Sequence, residues 1–572
     1  MRRSQLLFLI FSWFRTVICD LPVHCLRHQI VGEWRFQLGS LQEKRTSCGH
    51  ERPDVDTVQP QTEPHPAVVK NITLLEPNVA KSATDKVGMF TMIYDEGFEV
   101  HIDGLVLFAF SHFDYVKGPD GKSRNVSHCG KTHRGWYRDI ARTRWGCYSA
   151  AKVHQEDVSF LQMLPSSPSW QTSPDYDKVL PLSWQEDRVH RLNLLQMPWT
   201  ARVYDKFVGK SMRQLNSYAG IRRSLRHSMS PPKEAQQQAF LEVEHTRCPQ
   251  MRLERRTKDG EVLPRMLLRG QEGLKPCQLR LQASVYDQAK AGDQALIALE
   301  SSLPRSFDWR NALGGRNFLE SVMDQADCGS CYMVATMRML SARYKISINN
   351  SEAEPWSISF PLHCSEYNQG CKGGYAFLAS KWSDDIGLLP ASCAPYDTEG
   401  TCSVKCDPKK LTKRYRASNH RYVGGWYGNS SSMDMMLEIF NNGPVVASFE
   451  PTDDFMLYSG GVFRQAQGVP APLAATKTEW LQVDHAILLV GWGEQLGEKY
   501  WIAQNSWGAE WGENGFFRIA RDINDSGMES IVVAADVVED TRPEVLTEFL
   551  QQNIEPFQAK PQVEHKLRRA KK

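Results

Sequence analysis

The residues with the clearest chemical potential lie in the stretch Gln325-Ala-Asp-Cys-Gly-Ser-Cys-Tyr332. Apolar residues follow at helical spacing from Met333 to Ile346, which predicts that Cys331 stands at the start of a helix. The N-terminus of a helix carries partial positive charge and free N–H groups, which favour a thiolate over a thiol. Gln325 lies six residues upstream and can bring an amide N–H₂ group to an oxyanion. The stretch therefore predicts an activated sulfur nucleophile.

A nucleophilic cysteine needs a base, and the base needs a group that orients it. His485 begins an apolar, strand-like run, and Asn505 ends another such run. We expect His485 to pair with Cys331 as thiolate and imidazolium, while the Asn505 side-chain oxygen accepts from the other ring nitrogen. Trp507 is placed to shield that hydrogen bond from water. Alternatively, Cys328 and Cys331 form a C-x-x-C pair that suits a redox motif or half of a zinc site.

The order and context of these residues resemble the papain family of cysteine peptidases over roughly 303–538. Pro304-Arg-Ser-Phe-Asp-Trp-Arg310 is similar to the start of a mature domain of that family. The run Gly370-Cys-Lys-Gly-Gly374 resembles its substrate-cleft glycine loop, so Gly373 and Gly374 are expected beside the substrate together with Trp507. Tyr332, where the family usually has Trp, points to the cathepsin C (dipeptidyl peptidase I) branch.

The chain length of 572 residues predicts two or more folded units, and a net charge of +2 offers no electrostatic case for nucleic acid. Residues 1–19 have the basic start and apolar core of a signal peptide, although Arg15 interrupts the core and a signal anchor is the alternative. No other run is long and apolar enough for a membrane-spanning helix, so no membrane partner is expected.

Fourteen cysteines, of which twelve remain after Cys19 and Cys331 are set aside, favour disulfides and an oxidising compartment. Sequons for N-glycosylation fit the same secretory route, although each triplet also arises by chance. They begin at Asn71, Asn125, Asn349, Asn429 and Asn524. A lysosome-like compartment, a secretory granule and the extracellular space all agree with this reading.

The front of the chain is predicted to be an antiparallel β domain over 20–152, because apolar residues alternate with polar ones between Phe90 and Tyr115. Gly32-Glu-Trp-Arg-Phe-Gln-Leu-Gly39 and Tyr94-Asp-Glu-Gly-Phe-Glu99 resemble the exclusion domain that marks cathepsin C. The resemblance also implies the disulfide pairs, which sequence alone does not choose. They are Cys25–Cys129, Cys48–Cys147, Cys328–Cys371, Cys364–Cys402 and Cys393–Cys406.

Cleavage after Cys19 would make Asp20 the mature N-terminus, and the resemblance gives Asp20 a role. A dipeptidyl peptidase must recognise a free α-amino group two residues before the scissile bond, which a carboxylate at the closed end of the cleft does through a charge-assisted hydrogen bond. The alternative is that Asp20 is an ordinary loose terminus. The resemblance further implies a chloride ion near the pocket for the second substrate residue, at Tyr375, Phe377 and Tyr422, with plain aromatic packing as the alternative.

The predicted fold is α+β: a papain-like two-lobed peptidase domain, with a helical lobe and a β-barrel-like lobe, preceded by the β exclusion domain. Residues 153–302 resemble an activation peptide around Pro198 to Arg222. The peptidase domain is expected over 303–540, with a heavy chain at about 303–470 and a light chain at about 471–540, and 541–572 as a basic extension. Cys248 and Cys277 have no assignment beyond pairing with each other.

The sequence thus predicts a cysteine dipeptidyl aminopeptidase that acts on peptides and proteins with free N-termini, after cutting by an activating protease. The family resemblance implies a homotetramer and no metal or organic cofactor. One alternative is an endopeptidase with a long pro-region, which would cut N-blocked substrates. A second is a non-catalytic scaffold, against which the intact Gln325, Cys331, His485 and Asn505 argue. A third is a front domain that serves mainly for assembly.

Overall fold

The computed structural model describes most of the front domain, part of the middle segment and nearly all of the C-terminal domain. The described residues are 23–53, 55–56, 66–117, 123–154, 179, 181–211, 214–215, 218, 303–407, 410–411, 413–465 and 483–554. Asp20, Cys248, Cys277 and the predicted signal peptide lie outside these ranges. Within them, no helix has the length and hydropathy that a bilayer crossing requires.

Residues 23–154 form an antiparallel β barrel, called the barrel below. A short helix α1 (Arg27–Ile30) precedes eleven strands, which are β1 (Gly32–Leu38), β2 (His50–Arg52), β3 (Val55–Asp56), β4 (Val68–Leu75), β5 (Val79–Ser82), β6 (Val87–Ile93), β7 (Gly97–Ile102), β8 (Leu105–Lys117), β9 (Ser123–Thr132), β10 (Gly135–Asp139) and β11 (Trp145–Lys152). The strand order is β1-β4-β5-β6-β7-β8-β10-β11, and β11 pairs back with β1 to close the sheet.

Alternation in β1 shows why these residues form a barrel. Trp34, Phe36 and Leu38 are buried, while Glu33, Arg35 and Gln37 between them are not. Side chains of a strand point alternately to its two faces, so the apolar set fills the interior.

The predicted stretch from Phe90 to Tyr115 comprises β6, β7 and most of β8. Tyr94 and Asp103, with φ of 54° each, lie in the two turns that join these strands. The β6–β7 turn is important for the site described below.

A covering segment, defined as the described residues between 181 and 218, lies on the C-terminal domain. It contains α2 (Leu182–Leu194), β12 (Trp199–Ala201) and a 3₁₀ turn at Asp205–Phe207. Strand β12 adds an antiparallel edge to the sheet of the C-terminal domain.

The C-terminal domain, residues 303–554, has helices at the front and a sheet behind. Its elements are β13 (Phe307–Asp308), α3 (Cys331–Ser347), α4 (Ser359–Cys364), α5 (Ala376–Asp385), β14 (Tyr415–Tyr422), α6 (Ser432–Asn442), β15 (Val445–Phe449), β16 (Tyr458–Phe463), β17 (His485–Gln495), β18 (Glu498–Gln504), β19 (Phe516–Ala520), β20 (Ile531–Glu539) and α7 (Glu544–Asn553). The sheet order is β12-β16-β19-β18-β17-β15-β20-β14. Helix α3 packs against the central strand β17, which brings the ends that carry Cys331 and His485 into one region.

Two elements of this domain differ from the sequence reading. Helix α6 stands in the half for which only strands were expected, and its start is marked by the Ser431 hydroxyl, which accepts from the backbone N–H of Asp434 (3.2 Å). Helix α7 shows that the extension after residue 540 is not wholly a solvated tail. Its Phe549 ring packs edge-on against Trp382 and Phe360, with ring centroids 5.4 and 6.3 Å apart.

Candidate active site

Cys331 is the first residue of helix α3 and is completely buried. The turn before it is fixed by Tyr396, whose hydroxyl lies 2.7 Å from the Ser330 hydroxyl and donates to the Gln325 carbonyl (2.9 Å). The backbone N–H of Ala486, at the start of β17, also points at the sulfur. The nucleophile therefore lies where the helix meets the strand that carries His485.

His485 and Asn505 meet as expected, because β17 and β18 are hydrogen-bonded neighbours. The ring nitrogen Nε2 of His485 lies 2.8 Å from Oδ1 of Asn505, and both residues are buried. The Trp507 ring stacks on the imidazole with centroids 4.9 Å apart. Because Asn505 orients the ring through Nε2, Nδ1 is the nitrogen that would exchange a proton with the nucleophile and the leaving group.

Gln325 is held in place by Ser506, a residue that the sequence reading did not select. The Ser506 hydroxyl donates to Oε1 of Gln325, and the Gln325 backbone N–H donates to the Ser506 carbonyl (2.8 Å). The amide nitrogen Nε2 therefore remains the donor side of the group. Ser506 stands between Asn505 and Trp507 in the sequence, and that position was the one signal that could have identified it.

Burial has the largest effect on the Cys331 thiol in this structure. Burial raises its pKa to about 12, although the N–H groups of Ala486 and Tyr332 act in the opposite direction. The helix terminus is expected to favour a thiolate, and the Tyr332 N–H, which belongs to the first turn of α3, acts in that direction.

The covering segment lies on neighbouring residues of the site. The backbone carbonyl of Tyr218 accepts from Nε2 of Gln325 (3.3 Å) and from the indole nitrogen of Trp507 (3.0 Å). A peptide carbonyl thus lies on the amide group that was predicted to be the oxyanion donor. Lys206 donates to the Trp507 carbonyl and pairs with Asp324 at 2.8 Å.

Strand β12 anchors the covering segment at the edge of the sheet. Trp199 pairs in register with Gly461, and its indole nitrogen donates to the Arg464 carbonyl (3.0 Å) while its ring packs on Phe463. Gly461 has φ of +93°, and a Cβ there would lie 2.4 Å from the Pro198 carbonyl oxygen. Only glycine allows this close backbone approach.

The barrel contacts the cleft through its β6–β7 turn. The hydroxyl of Tyr375, next to the glycine loop, donates to Oε1 of Glu96 (2.7 Å), and the Tyr375 ring lies 4.3 Å from that of Tyr94. Arg27 donates to the Tyr427 carbonyl (2.6 Å). A separate domain therefore covers one side of the cleft.

The comparisons with known proteins agree with this geometry. Residues 303–536 match the papain family cysteine protease domain, and residues 20–152 match the cathepsin C exclusion domain. A gut-specific cysteine proteinase of Caenorhabditis elegans is 32% identical over 272 residues, which are 44% of this chain and 78% of that protein. The chain belongs to the papain family of cysteine peptidases.

Two relatives extend the match over both domains of this papain-family chain. Cathepsin C of Schistosoma mansoni is 28% identical over 542 residues, which are 93% of this chain and 98% of that protein. Dipeptidyl aminopeptidase 1 of Plasmodium falciparum is 23% identical over 674 residues, which are 90% of this chain and 93% of that protein.

The glycine loop of this papain-family cleft is shaped by close packing. Gly373 has φ of +126°, and a Cβ on Gly374 would lie 2.4 Å from Oδ1 of Asn368 and 2.7 Å from the Tyr332 ring. The Tyr332 hydroxyl donates to the Gly370 carbonyl (3.2 Å), so the residue that replaces the family's usual Trp supports the loop.

The five cysteine pairs implied by the family are joined in the structure, each with an S–S distance between 2.03 and 2.11 Å. Cys328 is bonded to Cys371, which excludes a Cys328–Cys331 redox pair and a zinc site on those thiols. Cys331 retains its thiol.

The sequon residues differ in their surroundings. Asn71 and Asn349 are exposed, whereas Asn429 and Asn524 are half-buried and their side-chain amides donate to Gly424 and Ser530. The Asn125 side chain lies outside the described residues. The two exposed positions offer a glycan the most room.

Proposed function

We propose that the chain is a cysteine dipeptidyl aminopeptidase that removes dipeptides from the free N-termini of peptides and proteins. The observation that carries the proposal is the barrel, a match to the cathepsin C exclusion domain, whose β6–β7 turn contacts Tyr375 beside the papain-type cleft. A domain fixed at that place restricts the length of chain that fits before the scissile bond.

The chemistry follows from the site. Cys331 attacks the carbonyl carbon of the second substrate residue, and the oxyanion accepts from Nε2 of Gln325 and the backbone N–H of Cys331. His485 protonates the leaving amine and then activates the water that releases the dipeptide. The Tyr218 carbonyl on Nε2 of Gln325 supports the donor role, because it occupies the place of a substrate carbonyl. Each such donor lowers the barrier by about 3 kcal/mol.

Asp20 is proposed as the anchor of the substrate amine. The residues that follow it are fixed near the cleft: Cys25 donates through its backbone to the Asp95 carbonyl (2.7 Å), and Nδ1 of His24 lies 2.6 Å from the Asp95 carboxylate. Asp95 precedes Glu96, which binds Tyr375. Asp20 is three residues before the buried Val23, and three extended residues span roughly 10 Å.

A chloride ion is proposed to bind beside Phe377 and Tyr422. The Tyr422 hydroxyl is buried with no acceptor among the described residues, and its ring stacks on Phe377 at 4.7 Å. Phe377 is the second residue of α5, so its N–H lacks an intrahelical acceptor. These two donors would hold the anion, which would supply negative charge and order the pocket. Tyr375 points its hydroxyl to Glu96 and is proposed only as a neighbour.

The covering segment is proposed as the removable activation peptide, because its Tyr218 carbonyl accepts from the side-chain amide of Gln325. The proposal includes an activating protease, a processed homotetramer, and passage through the secretory pathway to a lysosome-like compartment, a granule or the outside of the cell. The disulfides agree with an oxidising compartment.

The test uses the matured protein and a fluorogenic dipeptide amide, with the amino end free or acetylated. We expect hydrolysis of the free form alone, and no turnover by Cys331→Ala. Equal hydrolysis of both forms would make the protein an endopeptidase with a long pro-region. Normal hydrolysis of the free form by Asp20→Ala would remove the amine anchor from the proposal.

A further inference from the structure

The contact between the barrel and the C-terminal domain contains buried charges beside aromatic side chains such as Trp136 and Tyr367, whose ring centroids lie 4.8 Å apart. Several buried ion pairs span this contact, and in each of the following the first residue belongs to the barrel. They are Glu99–Lys381 (2.9 Å), Arg138–Asp385 (2.6 Å) and Arg142–Asp540 (2.7 Å). Arg45 and Glu366 form another. Two of these pairs use helix α5, whose first turn carries Phe377 of the substrate pocket.

His420, on β14, lies at the centre of this contact and was not selected from the sequence. Its Nε2 lies 3.0 and 3.2 Å from the two oxygens of Glu99 in the barrel, and its Nδ1 lies 3.1 Å from Asp384 in α5. Carboxylates only accept hydrogen bonds, so a ring that faces one with each nitrogen needs a proton on both. The geometry is that of an imidazolium between two carboxylates.

The remaining titratable groups around His420 come from four elements. They are Glu99 and His101 on β7, Arg138 on β10, Lys381, Asp384 and Asp385 on α5, and Arg416 on β14. Possible metal-ligating atoms of Glu99, His101 and His420 lie within 4.8 Å of one another. The Lys381 ammonium, 2.9 Å from Glu99, already supplies a cation there, so this group is better described as an ion network.

His420 also contacts the substrate pocket. Its ring packs edge-on against Phe377, with centroids 5.2 Å apart, and Phe377 stacks on Tyr422. On the barrel side, Glu99 lies on the strand that follows the turn carrying Glu96, the partner of Tyr375. One imidazole therefore joins the pocket wall to the domain that closes the cleft.

We propose that His420 is a positioning residue for dipeptidyl selectivity, holding the barrel against α5 as an imidazolium shared by Glu99 and Asp384. The inference rests on the proposed function, since it concerns how the selective domain is held. It assigns to His420 no contact with substrate. It predicts that a permanent cation can replace His420 and that a neutral side chain cannot.

The electrostatics of the site give this proposal a pH range. Burial opposes the charged form of His420, but Glu99 and Asp384 outweigh it and raise its pKa from 6.5 to about 9. Because this pKa is raised, His420 contributes fully to holding the two domains together below about pH 6.5. That contribution is lost as the pH rises through about 9. Glu99 stays charged over this range, because Lys381 and His420 outweigh its burial and hold its pKa well below the usual value.

The experiment compares matured wild type with His420→Gln, His420→Lys and the control His128→Gln. His128 faces Asp114 at 3.0 Å on the exposed surface of the barrel. Selectivity is followed between about pH 5.5 and 10 by measuring kcat/KM for the free dipeptide amide and, separately, any hydrolysis of the acetylated one. Titration of the substrate amine is common to all variants and cancels when each is divided by wild type.

We expect His420→Gln to lose about tenfold or more in kcat/KM for the free substrate, because Glu99 and Asp384 lose the cation that joins them. The loss should lie mainly in KM, and the remaining kcat/KM of His420→Gln should not change in a step near pH 9. His420→Lys should keep wild-type selectivity and extend it above pH 9, because a lysine titrates near 10.4. The control should match wild type.

Selectivity of His420→Gln equal to wild type at every pH would overturn the proposal, and so would a His420→Lys variant that behaves like His420→Gln. If the glutamine variant does not fold, wild type alone remains decisive. Gel filtration of matured wild type at pH 6 and pH 9.5 should show weaker retention of the barrel at the higher pH, and equal retention would also overturn the inference. Equal cleavage of both substrates by wild type would refute the proposed function instead.

Discussion

The C-terminal domain is contacted by two other parts of the chain, and the two contacts are built differently. The barrel contact combines aromatic packing with ion pairs in which both partners are buried, such as Glu99 and Lys381 at 1% and 3% exposure. The covering segment is held by aromatic side chains, a short strand and ion pairs that reach solvent, such as Lys210 and Asp327 at 19% and 64%. The barrel contact is therefore suited to persist, and the contact of the covering segment is suited to be removed.

The physical reason lies in the cost of losing one partner. Removing one member of a buried ion pair leaves an uncompensated charge and costs about 3–5 kcal/mol, whereas an exposed pair contributes about 0–1 kcal/mol. A partly detached barrel would leave such charges uncompensated, so every partly attached state has a high free energy. The covering segment can detach in stages, because the ion pairs of its described residues are partly exposed.

The largest effect is expected for Arg138→Ala in the barrel contact. Arg138 donates to Asp385 (2.6 Å) and faces Asp384, so its loss leaves buried carboxylates. We expect about 3–5 kcal/mol of lost domain attachment, seen as more than 100-fold lower hydrolysis of free-amine dipeptides and as separation of the barrel on gel filtration. Arg144→Ala, at an exposed position of the same barrel, is the control. Normal retention of the barrel by Arg138→Ala would remove the contrast between the two contacts.

A smaller effect is expected for Trp199→Ala in the covering segment. The indole is buried against Phe463 and donates to Arg464, and such truncations cost about 3 kcal/mol. The uncut protein should then expose Cys331 more often, so alkylation of its thiol at neutral pH should accelerate about 100-fold at most.

The matched control for that experiment is Thr200→Ala, an exposed neighbour on the same strand. Its alkylation rate should stay close to that of wild type. Unchanged alkylation of Trp199→Ala would show that β12 does not anchor the segment.

The smallest effect is expected for Lys210→Ala. The pair with Asp327 is 2.9 Å long but exposed, so its loss should change the alkylation rate of uncut protein by less than about fivefold. High salt should produce a similar change in wild type and none in the variant, because exposed pairs are screened. A much larger effect would mean that the covering segment is held electrostatically, as the barrel is.

The sequence was sufficient for the parts of the site that depend on local pattern. Cys331 could be placed at a helix start from the spacing that follows it, and His485 and Asn505 from their strand-like runs. Alternation in the front domain predicted its strands, and the structure closes them into a barrel. The resemblance supplied the cysteine pairs, because spacing alone does not choose among connectivities.

The remaining features depend on juxtapositions that no local pattern records. Glu99 alternates with Phe98 and Val100, so it points outward from the barrel, and an outward charge suggests solvent. Here the outside of the barrel is covered by α5, which makes Glu99 one of the most buried charges. The roles of His420 and of the Tyr218 carbonyl could not be predicted from the sequence either. Glu99 and Trp507, which they contact, lie hundreds of residues away in the chain.

Each disulfide among the described residues joins two cysteines of the same domain, and none crosses between the barrel and the C-terminal domain. Once the proposed cuts remove the middle of the chain, the selective part and the catalytic part become separate molecules in a complex. Their association then follows mass action. Selectivity for free N-termini would depend on enzyme concentration, and dilution below the dissociation constant would release a peptidase with an open cleft.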